Sequence, residues 1–268
     1  METGGRIMKK RIISAIILLL ITVPIILIGK NIFALGIGIV GIMAFYEISK
    51  LEKYPNLVKI TSLLSLLLLI FNCIDSNLLI TGINYKSMLI CLLLHFIPSC
   101  FYQIKGDYTS KDAFKLCSFI IMIGLGLNNF ILIRNYSLSY FIFVLLLPIL
   151  TDTFAYFGGM LIGKHKATKI SPKKTWEGYI VGSLVATIIM TVYYLTFINI
   201  DANIILIVPI ILFMTIAAEL GDLFFSAIKR SYDIKDFSNL IPGHGGVVDR
   251  LDSLIFVSFM FIIFIEYL

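Results

Sequence analysis

Three groups of carboxylates stand where the chain is otherwise apolar. Asp152 follows Pro148 by four residues, between Thr151 and Thr153; Glu219 and Asp222 share one apolar run; Asp249 and Asp252 open the last one. A three-residue spacing puts each pair on one helical face. An ionised acid at membrane depth is expensive, so it has to face a partner or a watery cavity. Two arrangements meet that need. The acids could pair with loop Lys and Arg and pin helices together, or they could hold a divalent cation. Oxygen ligands suit Mg²⁺, an ion that usually arrives with phosphate.

The complementary charge lies in two loops, spanning 163–175 and 229–250. Ser171–Gly178 reads SPKKTWEG, with Lys173 and Lys174 just ahead of an apolar run and Thr175 placed to cap the helix that follows. Helix N-termini and cationic side chains together favour phosphate. Ser226–Asp252 carries Lys229, Arg230, Lys235 and Arg250 against Asp233, Asp236, Asp249 and Asp252, with His244 inside the turn Pro242–Gly246. Gly245 and Gly246 let backbone amides approach an anion closely. His244 suits phosphate binding or protonation of a leaving group, and a turn-stabilising hydrogen bond equally. Plainer readings hold elsewhere: Lys164, Lys166 and Lys169 as a flank on lipid headgroups, Trp176 as an interfacial anchor, and His95 as structural. Cys73, Cys91, Cys100 and Cys117 lack C-x-x-C spacing and read as small buried hydrophobes.

The elements that must position these groups are membrane helices. Of 268 residues 59% are hydrophobic and only 14% charged, and the mean hydropathy is +0.99. A soluble domain carries about 25% charged residues. The expected architecture is all-α and polytopic, with about nine spans: Ile12–Ile28, Ile32–Ser49, Val58–Ile80, Ser87–Tyr102, Leu116–Ile133, Leu138–Ile162, Trp176–Ile198, Ile204–Ile228 and Leu251–Leu268. Asp75 argues for an early end to the third. The first follows Lys9, Lys10 and Arg11 as a signal peptide would, but it is long and lacks a small-x-small cleavage site, so it reads as a retained helix. With the N-terminus inside, 19 of the 22 Lys and Arg fall on the cytoplasmic side, leaving Lys30, Lys86 and Arg134 outside. The positive-inside rule expects such a division. It also explains the net charge of +6 without a nucleic-acid partner.

The polar residues match a known pattern. Ser226-x-Ile228-Lys229-Arg230, then Lys235-Asp236-x-Ser238, then Ile241-Pro242-x-His244-Gly245-Gly246-Val247-x-Asp249-Arg250-Leu251-Asp252 resembles the signature of phosphatidate cytidylyltransferases. Asp152–Tyr156 and Ser171–Gly178 look like the same family; Phe225 stands where an acid is often found. The resemblance covers roughly the last 120 residues. It implies a division into 1–115, four membrane helices of unassigned role, and 116–268, the catalytic membrane region. The implied reaction is CTP + phosphatidate → CDP-diacylglycerol + pyrophosphate, dependent on one or two Mg²⁺ ions, with room for a monovalent cation. Asp222 and Asp249 are the first choices as metal ligands, with Asp152 and Glu219 behind them. Lys229, Arg250 and His244 join Asp222 and Asp249 as catalytic candidates. Ser171, Lys173, Lys174, Thr175, Glu177, Ser226, Arg230, Lys235, Asp236, Gly245, Gly246 and Asp252 are the substrate-binding candidates. The implied partners are CTP from the cytoplasm, phosphatidate from the bilayer and membrane lipids, and a homodimer is compatible with them.

Two rivals remain at this level. Another CTP-using membrane enzyme, a polyprenol kinase or a synthase acting on an ether-linked lipid phosphate, faces the same substrate problem. A cation-coupled transporter also carries intramembrane acids, but the chain has no inverted halves, and both basic loops fall on one side.

Overall fold

The structure is a computed structural model describing residues 2–72, 85–243 and 245–268. Cys73, Asp75 and His244 lie outside the described residues. The helices are α1 (Glu2–Ile28), α2 (Lys30–Ile48), α3 (Asn56–Ile70), α4 (Tyr85–Tyr102), α5 (Ser110–Tyr136), α6 (Leu138–Ile162), α7 (Trp176–Phe197), α8 (Ile204–Ser231) and α9 (Val248–Phe264). Among the described residues the only β pairing is two isolated bridges. Lipid offers backbone groups no partners, so apolar runs satisfy them internally as helices.

Among the described residues, six helices are long and apolar enough to cross a bilayer: α2, α4 with the turn after it, α5, α6, α7 and α8. The apolar part of α1, Ile13–Ile28, and α3 are shorter. α9 has 17 residues, or about 25 Å of rise. The chain is a multi-pass, all-α membrane protein.

Helix ends depart from the apolar runs where capping governs. α5 starts six residues before Leu116 because Thr109 and Asp112 cap reciprocally: Thr109 N donates to Asp112 Oδ2 at 2.8 Å, and Asp112 N to Thr109 Oγ1 at 3.3 Å. α8 runs on through Lys229 and Arg230, cations that suit a helix C-terminus. α9 takes in Asp249 and Arg250.

The chain divides into two compact units, Met1–Asn135 with Asp236–Asp249, and Tyr136–Lys235 with Arg250–Leu268. In the first, α3 and α5 bury Leu66, Leu69, Ile70, Leu116, Ile120 and Ile123, and Arg134 caps α1 by donating to Ile26 O at 2.6 Å and Leu27 O at 2.9 Å. In the second, the core holds Phe143, Tyr194, Phe225 and Phe261. Its outer faces expose Leu161, Leu184, Ile188 and Ile205, a surface suited to acyl chains.

Candidate active site

In the second unit the site begins with a close crossing of α6 and α7. A Cβ on Gly182 would sit 2.7 Å from Thr151 O, and one on Gly178 would sit 2.7 Å from Ala155 O. Small residues let membrane helices approach at backbone distance. Here the approach sets Asp152, next to Thr151, beside the start of α7. Thr175 caps that start as its type and place anticipate: its Oγ1 accepts from Gly178 N at 3.1 Å. The loop before it folds back on itself through Ala167 N to Lys174 O at 2.9 Å and Trp176 N to His165 O at 3.0 Å. Glu177 accepts from His165 Nδ1 at 2.6 Å and Lys164 N at 3.1 Å. Its carboxylate thus organises the loop.

Lys174 is the hub. Its Nζ is buried and forms an ion pair with Asp222, while Asp152 Oδ1 lies 3.9 Å away. Burial works against the ammonium, but the carboxylates of Asp222 and Asp152 outweigh it and hold its pKa above the ordinary lysine value. A cavity of about 380 Å³ opens beside it, lined by Asp152, Ser171, Lys173, Lys174 and Thr175 together with Tyr156, Gly159, Gly178 and Tyr179. Five residues named from sequence therefore meet on one concave surface. Two ammoniums and two hydroxyls make it a surface for phosphate oxygens.

Other candidates of this unit do not line that cavity. Glu219 lines a second, apolar cavity of about 380 Å³ with Trp176, Ile180, Leu184, Leu212 and Ile216, and its Oε1 has no hydrogen-bond partner among the described residues. Asp252 Oδ1 accepts from Ser253 N at 2.8 Å. α8 meets α9 closely there, since a Cβ on Gly221 would lie 2.9 Å from Asp252 O. Lys229 is buried in the last turn of α8, and Ser226 is half-buried one turn earlier. Arg230 Nη1 donates to Ile234 O at 2.8 Å. Lys235 and Arg250 are exposed. Phe225 is wholly buried against Phe224, a core position.

In the first unit, the Asp236–Asp249 segment is organised by carboxylates. Asp249 Oδ2 accepts from Phe237 N and Gly246 N, each at 2.9 Å. Gly243 and Gly245 adopt φ of 79° and 88°, values that side chains rarely tolerate. Asp236 is exposed, and a Cβ on Gly245 would come within 3.2 Å of Asp249 Oδ2. The acid that sequence reasoning missed is Glu47. Wholly buried at the end of α2, it accepts from Ser238 Oγ at 2.6 Å, Val247 N at 2.7 Å and Val248 N at 2.9 Å. A lone acid closing an apolar run was the available signal. The amides of Gly246, Val247 and Val248 thus serve the chain's own carboxylates.

For a divalent cation the donors of the second unit fit. Asp152 and Asp222 are all-oxygen ligands that already converge on one positive charge, the Lys174 ammonium.

The fold and the site define a class: an all-α, multi-pass membrane protein with a lysine- and carboxylate-lined cavity suited to phosphate oxygens. Comparison with known proteins narrows the class: the chain belongs to the cytidylyltransferase family, whose model matches residues 9–268. It is 34% identical to a phosphatidate cytidylyltransferase of Staphylococcus haemolyticus (strain JCSC1435) over 254 residues, 93% of this chain and 96% of the relative. A phosphatidate cytidylyltransferase of Bacillus subtilis (strain 168) is 33% identical over 256 residues, 93% of this chain and 94% of the relative.

Proposed function

We propose that the chain is a phosphatidate cytidylyltransferase, joining CTP and phosphatidate to give CDP-diacylglycerol and pyrophosphate. The observation that carries the reading is the cavity in which Lys173, Lys174, Ser171 and Thr175 face Asp152, in a chain similar to enzymes of that name over 93% of its length.

The lipid phosphate is largely dianionic at neutral pH, by analogy with other phosphate monoesters. One of its oxygens bonds to the α-phosphorus of CTP as the bond from that phosphorus to the bridging oxygen of the β-phosphate breaks. The electron pair leaves with pyrophosphate, and no protein base is required. The difficulty is bringing two polyanions together, so the residues act by positioning and charge neutralisation. Lys173 and Lys174 hold phosphate oxygens, and Ser171 and Thr175 donate to them. Asp222 and Asp152 would hold Mg²⁺, and the signature makes Asp249 a further candidate ligand. When bound, the ion supplies positive charge for the triphosphate and the departing pyrophosphate. Lys229 and Arg250 are further phosphate contacts. The distribution of Lys and Arg supports a cytoplasmic site.

The test is product identity. Purified protein given labelled CTP and phosphatidate should yield a CDP-lipid and pyrophosphate, and EDTA should stop it. CDP together with a newly phosphorylated lipid would mean a kinase instead. Asp222→Asn and Asp249→Asn should each abolish turnover in folded protein, whereas Lys59→Ala should change little. Near-normal rates in both Asn variants across a range of Mg²⁺ would remove these carboxylates from the mechanism.

A further inference from the structure

Glu47 sits in the last turn of α2 and is wholly buried. Its three partners lie 191 to 201 residues later in the chain. An isolated buried carboxylate is heavily penalised. These bonds make the position tenable, and being charge-assisted they are stronger than neutral ones. They also perform a cap. The first amides of a helix have no partner inside it, and at the head of α9 the nearest acid, Asp249, is engaged with Phe237 N and Gly246 N. Glu47 supplies the missing acceptor from another helix, taking Val247 N on Oε1 and Val248 N on Oε2. The fit leaves no slack, because a Cβ on Gly246 would lie 2.7 Å from Glu47 Oε2.

We infer that Glu47 is a positioning residue for cytidylyl transfer. Its carboxylate fixes the Asp236–Asp249 segment and the first turn of α9, and so holds Asp249 in the orientation that the reaction uses. The inference rests on the phosphatidate cytidylyltransferase reading. It gives the N-terminal helices a part in catalysis without contact to substrate. The two neighbouring carboxylates divide the work: Asp249 Oδ2 closes the turn around Gly246, and Glu47 ties that turn to α2.

The experiment compares wild type, Glu47→Ala, Glu47→Gln and Ser238→Ala, with Glu52→Gln as control. Glu52 belongs to a separate pair with Lys115 at 2.5 Å. Each full-length chain is purified in detergent, its folded fraction measured by gel filtration and helical circular dichroism, and its kcat and KM for CTP determined with phosphatidate. Hydrogen exchange is followed at the Val247 and Val248 amides. Glu47→Ala should lower kcat about a hundredfold, the scale of a misplaced catalytic group, with a much smaller change in KM, and exchange at both amides should rise. Glu47→Gln keeps the shape but turns an amide nitrogen toward a backbone donor, so it should fall between. Ser238→Ala leaves both backbone bonds and should lose only about threefold, one hydrogen bond's worth. The control should match wild type.

Wild-type kcat per folded molecule in Glu47→Gln, with exchange at Val247 and Val248 unchanged, overturns the proposal. So does a loss of activity that only tracks the loss of folded protein. Should Glu47→Ala fail to fold, Glu47→Gln and Ser238→Ala decide by the same criteria. If wild type makes no CDP-lipid, the functional reading has failed and the role in that reaction falls with it. The exchange data then still report separately whether Glu47 holds the segment.

Discussion

Lys174 concentrates the electrostatics of the second unit on one side chain. Replacing it by Met removes the ammonium that pairs with Asp222 and approaches Asp152. The pair is partly exposed, at 23% and 24% for Lys174 and Asp222, so its loss falls between the limits for surface and buried ion pairs, roughly 1–3 kcal/mol. Turnover should fall further, by about a hundredfold or more, because the same ammonium would meet phosphate. Lys174→Arg should recover much of the stability and part of the rate. The raised pKa of Lys174 fixes the pH dependence. A raised folded value means that the ion pair's contribution is complete below the unfolded-chain lysine pKa and is lost only as pH rises through the folded one. Thermal unfolding midpoints in detergent should therefore stay level from about pH 7 to 9 as far as Lys174 is concerned, well below a lysine's ordinary titration. A midpoint that falls within that window in wild type but not in Lys174→Arg would contradict the assignment.

At the scale of helices, the site depends on how closely α6 and α7 approach. Gly182 faces Thr151 O, Ala155 N and Ala155 Cβ within 2.9 Å of any added methyl. Gly182→Ala has to push the two helices apart, and overpacking of that kind costs about 1–3 kcal/mol. Because Thr151 adjoins Asp152, the same push moves a carboxylate of the cavity. Turnover should drop about tenfold or more, since an ångström of displacement is enough. Gly36→Ala in α2 meets only the side chain of Ile25, with Cγ2 at 3.1 Å, and should change turnover little. Equal kinetics in the two variants would show that the crossing does not set the site. Much at this scale was legible in sequence. Apolar runs gave the helices, and Thr175 was visible as the cap of α7. Helix ends were not, where capping and dipole govern them: Thr109 with Asp112 draws α5 six residues ahead of its apolar run. The glycine crossing was also missed, because Gly178 and Gly182 acquire meaning only against Thr151, Ala155 and Gly159 on another helix.

At the scale of the whole chain, legibility followed chemistry and not distance along the sequence. Asp152, Lys173 and Lys174 stood out because charge beside hydrocarbon demands a reason, and the structure places them around one cavity. Glu47 met the same criterion but gave no hint of its partners, which lie near the other end of the sequence. Orientation is the remaining property that sequence charge alone can address, and it decides whether the nucleotide can reach the cavity. On the cytidylyl-transfer reading the Lys164–Thr175 loop faces the cytoplasm, because CTP is made inside the cell and does not cross a bilayer unaided. The short connection between α7 and α8 then faces outward. In a chain whose four cysteines have been replaced, Lys169→Cys and Asp201→Cys mark the two sides. A membrane-impermeant maleimide should label position 201 in intact cells and position 169 only after permeabilisation. The reverse pattern would set the lysines of the cavity on the side without CTP. The positive-inside reading and the cytidylyl-transfer reading would then fall together, because both need the same face of the bilayer.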